Sequence, residues 1–396
     1  MKSPLILRFI VLTALVAGIS LYLFQPLDLP DVVMPTFGSE TVRARVIELI
    51  EEGEVDLGGL RQKYQVARVE LLEGEYRGIV MEMDYGRRQV LSNAVYLQPG
   101  DTILVAIGAR PDGLLTVYFV DFTRTTPLLW LLALFAAAIL LISRWKGLRS
   151  LISMAFSLAV IIGYIIPRIL AGGDPLQVSI IGSILLLGVT LYLTYGWNLK
   201  THAAVISMIL VLLITGALAA VFVAFAKLNG SGDENALFLL QMLDAQINLR
   251  GLLLGGMIIG ALGVLDDLVT TQASAVFELH HANPSLGAGA LFRSAMRIGQ
   301  DHVAATVNTL VLAYAGASLP MLLMFTLGQG RLGYLVNFEF IAEEIVRTLV
   351  GSLGLISAVP LAALIAIFFA LRVESLGRWE QVLGPEGGGE GHGHAH

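Results

Sequence analysis

The sequence predicts a membrane α-helical bundle of about eight transmembrane helices, with one small extracytoplasmic β-rich domain. Three observations predict this fold class. Of 396 residues, 56% are hydrophobic and only 14% are charged, whereas soluble domains carry about 25% charged residues. Apolar runs of about 20 residues, long enough to cross a ~30 Å hydrocarbon core, recur along the chain. One segment after the first run instead alternates like β-strands.

The predicted spans follow the apolar runs, at residues 5–24, 127–143, 148–168, 176–195, 203–226, 251–272, 303–326 and 346–371. Residues 1–24 carry Lys2 and Arg8 before the apolar run and lack a small-residue cleavage site. We therefore interpret them as an N-terminal transmembrane anchor rather than a cleaved signal peptide. The remaining seven runs make residues 127–371 a seven-helix transmembrane domain.

Lys and Arg residues predict the orientation, because they are more frequent in cytoplasmic flanks. With the N-terminus inside, the cytoplasmic flanks contain Lys2, Arg8, Arg144, Lys146, Arg149, Lys200, Arg293, Arg297, Arg372 and Arg378. The opposite flanks contain fewer: Arg124, Arg168, Lys227, Arg250 and Arg331. Both termini are therefore predicted to be cytoplasmic, and residues 40–122 are predicted to lie outside.

Residues 40–122 form the predicted β-rich domain. Its β-branched and alternating segments are separated by turns that contain Gly or Pro; the segments are TVRARVIEL, QVARVELL, YRGIVMEM, TILVAIG and LLTVYFVDF. About five short strands are typical of a small barrel or sandwich. The domain contains no His and no metal-ligand cluster, which favours a folded spacer and leaves open the binding of a ligand or partner.

Two other segments are predicted not to span the membrane. Residues 236–250 alternate apolar and polar positions and are expected to form an amphipathic helix on the outer membrane surface. Residues 376–396 form a Gly- and His-rich tail, which is predicted to be disordered and cytoplasmic. His392, His394 and His396 are weak metal-ligand candidates there, and a solvated tail without function is the alternative.

Two adjacent carboxylates, Asp266 and Asp267, interrupt the predicted span 251–272. A charge at the bilayer centre costs a few kcal/mol on insertion scales, so the pair is expected to face protein or water. Asp267 lies ~24 Å along a ~30 Å span, in its cytoplasmic third. Two interpretations stay open: a site that carries or coordinates a cation, and helix-end caps among the headgroups.

The helix face that includes Asp267 is built from small and polar residues. Residues three and four positions apart share a helix face, which here gives Gly256, Gly260, Gly263, Asp267, Thr270 and Thr271. Small residues let another helix approach closely, so the three glycines are predicted to pack against a neighbouring span. The polar half of this face is predicted to line an ion pathway.

The next span supplies the predicted partners of the two carboxylates. Asp301 and Asn308 share one face of RIGQDHVAATVNTLVLAYAG, and His302 runs beside them. This polar end is also predicted to be cytoplasmic, at the same depth as Asp267. Carboxylates, an imidazole and an amide at one depth are typical of a proton relay or cation pathway.

The last span carries an expected ion pair, Glu343 with Arg347, four residues apart on a helix. It lies either inside the bundle or at the outer membrane edge. Gly351 and Gly354 follow on the same side and are predicted to be helix-packing positions.

Three motifs, in order, resemble the YibE/F family of bacterial multi-spanning membrane proteins: GALGVLDDLVTTQASAVFEL, IGQDHVAATVNTLVLAYAGASLP and EEIVRTLVGSLGLISAVPLAALIA. The likeness extends from about residue 42 to 370. It implies a bacterial cytoplasmic (inner) membrane protein associated with transport, without naming a substrate, and it implies that Asp266 and Asp267 need not be equivalent.

Two function classes remain. The chain has no G-x-x-x-x-G-K-[ST] loop, no H-E-x-x-H motif, no G-x-S-x-G elbow and no Cys, so we expect neither an enzyme nor a cofactor. The first class is a transporter or channel-like permease, coupled to a proton or cation gradient. The second is a non-transporting envelope assembly or export factor whose outer domain binds a partner. The expected partners are the lipid bilayer and an unidentified solute or ion, with a homo-oligomer left open and no nucleic acid.

Overall fold

The computed structural model describes residues 41–88, 90, 95–109, 115–242, 247–327, 332–372 and 383–384. The chain divides into two compact units, with one boundary between Ile142 and Ser143. The predicted anchor 1–24 and the three tail histidines lie outside the described residues.

Five strands form a closed barrel: β1 Thr41–Leu57, β2 Leu60–Leu71, β3 Val80–Tyr85, β4 Thr102–Ala109 and β5 Leu115–Phe122. The order around the barrel is β1-β2-β3-β5-β4, with β4 also paired to β1. Strands β3 and β5 run parallel at Met83 and Val117, and the other pairs are antiparallel. This is the topology of the oligonucleotide/oligosaccharide-binding (OB) type of five-stranded Greek-key barrel. The prediction of a small barrel is confirmed.

The barrel encloses its own hydrophobic core. Alternate residues of β1, namely Val42, Ala44 and Val46, point inward because successive side chains of a strand lie on opposite faces. They meet fully buried residues of the other strands, including Met83 and Ile103. The alternating pattern in the sequence therefore sets which face of each strand is buried.

The remainder of the described chain is helical: α1 Thr125–Val160, a π-helical turn Ile161–Ile165, α2 Ile166–Leu170, α3 Pro175–Tyr195, α4 Leu199–Phe225, α5 Glu234–Met242, α6 Leu249–Ala282, α7 Ala288–Ala317, α8 Leu319–Leu327, α9 Leu332–Leu335 and α10 Glu339–Ala370. Side-chain caps begin three of the long helices. Asp174 accepts from the Gln177 N–H at 3.0 Å, Asn198 from Thr201 at 2.9 Å and Asn248 from Gly251 at 3.0 Å.

Five of the described helices are long and apolar enough to cross a membrane: Thr125–Leu170, Pro175–Tyr195, Leu199–Phe225, Leu249–Ala282 and Glu339–Ala370. The membrane helical class is therefore confirmed, but the count of eight spans is not. The predicted span 303–326 is divided between α7 and α8 by a turn at Ser318. The predicted span 5–24 lies outside the part of the chain that the structure describes.

The helical segment Thr125–Leu170 contains two of the predicted spans, 127–143 and 148–168. Its 46 residues would measure about 69 Å as one rod, more than twice the hydrocarbon thickness. The backbone leaves helical geometry between the two predicted spans, at Arg144, with φ 48° and ψ −125°. A positive φ is costly for a residue with a Cβ atom.

The predicted amphipathic helix 236–250 is described only in part. Helix α5 covers nine residues, Glu234–Met242, and none of them is buried. Residues 243–246 lie outside the described residues, and α6 begins at Leu249. The location of α5 on the membrane surface stays a prediction.

In the helical unit, α10 packs against α4, α6 and α7. Small residues permit this close packing: Ala358, Ala362, Ala363, Ala366 and Ala370 of α10 are all buried. Large side chains of α6, among them Phe277, Leu265 and Leu268, fill the same core.

His202 near the start of α4 joins distant parts of this unit. Its Nε2 atom donates to the carbonyl oxygen of Leu383 at 2.9 Å, and its Nδ1 atom lies 2.7 Å from the Tyr192 hydroxyl. Since a carbonyl can only accept, Nε2 carries the proton and Nδ1 accepts from Tyr192. The residue is buried, with 7% of its surface exposed.

Candidate ion site on helix α6

The two adjacent carboxylates of α6 have different surroundings. Asp266 is half-buried, and its Oδ1 atom is fully buried and accepts no hydrogen bond from the described residues. The Asp267 side chain is 79% exposed. Successive residues of an α-helix are about 100° apart, so the two carboxylates point to different sides of α6.

Asp266 begins a row of polar residues, four positions apart, that faces α3 and α4. Thr270 is buried, and its hydroxyl donates to the Asp266 carbonyl oxygen at 2.9 Å. The same hydroxyl lies 3.4 Å from that of Tyr195, the last residue of α3. One turn beyond Ser274, Glu278 accepts from Lys200 of α4 at 2.6 Å.

Asp267 faces α7 instead. Its Oδ2 atom lies 4.0 Å from Nε2 of His302, whose side chain is 32% exposed. Asp301 and Asn308, the other predicted partners, are exposed and form no hydrogen bond or ion pair with any described residue. Thr271 is also exposed. Of the predicted partners on α7, the structure therefore brings only His302 close to Asp267.

No described residue makes the predicted close contact at two of the α6 glycines. A Cβ atom added at Gly256 or Gly263 would meet no described atom within 4 Å, and at Gly260 only the Tyr314 hydroxyl, at 3.5 Å. The close contact is made by Gly255, which packs against Ser179. Helix α6 is thus rotated by about one residue from the predicted orientation, which moves the Gly256 face away from the neighbouring described helices.

On α10 the two predicted packing glycines differ. Gly351 has ordinary contact distance to Leu310, 3.6 Å from the added Cβ position to Cδ2. Gly354 packs directly on the side chain of Thr215 in α4, with no space for a Cβ atom. The closest approach of α10 and α4 therefore depends on Gly354.

The predicted ion pair between Glu343 and Arg347 is not formed. Arg347 donates instead to Glu344 at 2.6 Å. Glu343 is 3% exposed and accepts from the backbone N–H of Gly232 at 3.2 Å. The loop before α5 therefore supplies the partner of Glu343, and Arg347 pairs three residues away.

Metal binding receives no support from the described residues. Among them, no group of three or more His, Asp or Glu side chains is arranged to hold a metal ion. His392, His394 and His396 lie outside the described residues, so their metal binding stays a prediction.

The apolar helices and the barrel together define a helical membrane protein that carries a small β-barrel. The chain belongs to the YibE/F-like protein family, whose model matches residues 131–372, more than half of the chain. This match confirms the family predicted from the three motifs, and it includes Asp266, Asp267 and His302. No curated protein matches the chain, and no solved structure does.

The sequence patterns identify neither Tyr195, near Asp266, nor the pairing of Lys200 with Glu278 further along the same face of α6. The spacing of four residues from Asp266 through Thr270 and Ser274 to Glu278 could have identified the face that they meet. The glycines instead favour the neighbouring face, which contains Asp267, as the functional one.

Proposed function

We propose that this protein is an integral membrane transporter or channel-like permease, coupled to a proton or cation gradient through Asp266 and Asp267. The supporting observation is the buried Oδ1 atom of Asp266, which accepts no hydrogen bond from the described residues. An ionised carboxylate oxygen without a donor in such a place is costly. Binding a proton or a cation removes that cost, so Asp266 is suited to take up and release positive charge.

The surrounding groups favour reversible binding of a proton or cation at Asp266 over its permanent neutralisation. Asp267, next in the chain, adds a second negative charge, and its exposed side chain lies near His302. In this proposal Asp266 is the buried position, and Asp267 with His302, on the neighbouring side of α6, is the exposed position. Thr270 lies one helical turn from Asp266 and donates to its carbonyl oxygen. Thr271, Asp301 and Asn308 are proposed to extend the exposed position along the surfaces of α6 and α7.

We place the protein in the bacterial cytoplasmic membrane, with both termini inside and residues 40–122 outside. The basic residues that flank the spans support this orientation. The proposed partners are the lipid bilayer and an unidentified solute or ion. A catalytic role is not proposed.

Ion flux through proteoliposomes tests the proposal. The full chain is reconstituted, and a panel of cations is applied across the membrane while internal pH and cation content are followed with dyes. We expect flux for the parent and its loss in Asp266→Asn, because Asn cannot bind a proton or neutralise a cation. The matched control is Glu54→Gln, which neutralises an exposed carboxylate of the barrel and is expected to retain the parent's flux.

Asp301→Asn then distinguishes two versions of the pathway. Loss of flux would place Asp301 on it, and retention would restrict it to Asp266, Asp267 and His302. If an ion is transported and Asp266→Asn transports it as fast as the parent, the carboxylate is structural and the proposed coupling is wrong.

An envelope assembly or export factor is the second candidate, and the barrel topology favours it. Barrels of the OB type bind ligands on the face of β2 and β3 and through the adjoining loops. A topology alone does not define a function. Arg43 and Glu73 line a cleft of this barrel. Arg43 donates to Glu73, and this hydrogen bond lowers the pKa of the Glu73 carboxyl, so a partner that binds Arg43 must compete with Glu73. Absence of flux for the whole ion panel, with a partner captured specifically by the barrel, would favour this candidate.

A further inference from the structure

A cleft of about 720 Å³ opens among α1, α3, α4 and α6 in the helical unit. Three basic side chains line it: Lys146 and Arg149 from α1, after the break at Arg144, and Lys200 from α4. No Asp or Glu is among its lining residues. This region, called the basic cleft below, is therefore a positively charged concavity in a predominantly apolar protein.

Two of the three cations are not neutralised within the described part of the chain. Lys200 pairs with Glu278 at 2.6 Å. Lys146 and Arg149 are exposed and form no ion pair with any described residue. The hydroxyl of Ser274, also on the cleft wall, makes no hydrogen bond with the described residues. The cleft thus offers a guanidinium, an ammonium and a hydroxyl donor together.

We propose that the basic cleft binds a phosphate group, carried either by the headgroup of an anionic phospholipid or by a free phosphate. Arginine matches phosphate oxygens with two parallel hydrogen bonds, and lysine adds a point charge. Trp145 and Tyr195 line the same cleft, and these residue types are enriched at membrane interfaces. Basic pockets between transmembrane helices on the cytoplasmic side recognise phospholipid headgroups.

This site goes beyond the proposed transport and does not depend on it. Thr270 belongs to both regions: it lines the basic cleft and donates to the Asp266 carbonyl oxygen. A phosphate bound in the cleft would lie near Thr270 and Tyr195, because both residues line it. Its binding is measured without any flux.

The test compares two double variants of the full chain, purified in a mild detergent. Lys146→Gln/Arg149→Gln removes the two unpaired cations of the cleft. Arg293→Gln/Arg297→Gln is the matched control, because it removes two exposed arginines from α7, outside the cleft. Phosphatidylglycerol and phosphatidylcholine retention are measured by native mass spectrometry, and inorganic phosphate binding by equilibrium dialysis.

We expect the parent and the control to bind a phosphate probe, and the cleft variant to bind it about thirty-fold more weakly, since each basic residue contributes roughly five-fold. Preferential loss of phosphatidylglycerol identifies a lipid headgroup as the source, and loss of inorganic phosphate identifies a free phosphate. Lys146→Arg/Arg149→Lys, which keeps both charges, should restore binding and exclude misfolding as the cause.

Two results would overturn the proposal. In one, the cleft variant binds both probes as tightly as the parent. In the other, the control loses as much affinity as the cleft variant, which would mean that net charge rather than the cleft attracts the phosphate.

Discussion

Asp266 and Asp267 are chemically identical and adjacent, yet only one has an oxygen that water cannot reach. The difference follows from helix geometry, because one residue of rotation carries a side chain about 100° around the axis. Asp266 is turned towards α3 and Tyr195, and Asp267 is turned towards His302. We therefore expect substitution of Asp266 to affect ion transport more than substitution of Asp267.

We expect Asp266→Asn to raise the melting temperature in detergent at neutral pH by about 2–4 °C. The substitution keeps the shape and removes the ionised oxygen that lacks a donor, a group whose burial costs roughly 1–3 kcal/mol. Asp267→Asn is the control, and because its side chain is exposed it should leave the melting temperature within about 1 °C. If Asp266→Asn melts lower than Asp267→Asn, the buried carboxylate stabilises the fold and the residue-level argument fails.

Arg144 illustrates a second residue-level cost. Its φ of 48° and ψ of −125° lie where glycine is comfortable and residues with a Cβ atom are strained. Arg144→Gly is expected to stabilise the protein by about 1 kcal/mol, visible as a higher melting temperature. Arg144→Ala removes the same charge but keeps the Cβ atom, so it should give no such gain. Equal melting temperatures for the two variants would contradict a strained backbone.

At the scale of elements, the bundle depends on which glycine faces which helix. Gly354 of α10 packs on Thr215 of α4, whereas Gly256 of α6 faces no described atom within 4 Å. Both glycines were predicted as packing positions, since both have small residues three or four positions away. Spacing identifies a face of a helix but cannot decide whether a neighbour covers it.

Leucine substitutions at the two glycines should therefore have different effects on the stability of the fold. Gly354→Leu places a side chain inside the contact between α10 and α4, and such overpacking costs about 1–3 kcal/mol or more. Gly256→Leu adds an apolar side chain at an open position and should be neutral. Thermal melting with size-exclusion chromatography measures both. A Gly256→Leu variant that is as unstable as Gly354→Leu would show that another helix covers the Gly256 face.

Sequence patterns predict the positions of local elements better than the contacts that those elements make with distant parts of the chain. Alternation located the five strands, because it depends only on which side of each strand is buried. Closure by the parallel pairing of β3 with β5 could not be predicted, since Met83 and Val117 are far apart in sequence. Likewise, Glu343 was expected to pair within its own helix, but a backbone N–H at Gly232, more than 100 residues away, is its partner.

At the scale of the whole molecule, the barrel has a core of its own. Its buried residues come from all five strands, and the closed order leaves no unpaired edge. The two units therefore have separate sources of stability. This separation is the basis for testing the barrel alone.

A fragment of residues 40–122 is expected to be soluble, monomeric and folded. Circular dichroism should show β-structure with a single cooperative thermal transition. The control fragment carries Val69→Asp, a charge in the fully buried core, and should lack the transition because an unpaired buried charge is costly. Aggregation of the parent fragment, or no transition, would mean that the barrel needs the helical unit to fold.

The hydrogen bond from His202 to Leu383 joins residues 181 positions apart, which has a consequence for biosynthesis. The ribosome adds about 5–20 residues per second, so roughly ten to forty seconds pass between the synthesis of the ring and that of its acceptor. During this interval the imidazole N–H at the start of α4 lacks the Leu383 carbonyl. Membrane insertion of α4 and formation of this hydrogen bond are therefore separate events, and the second waits for nearly the whole chain to be translated.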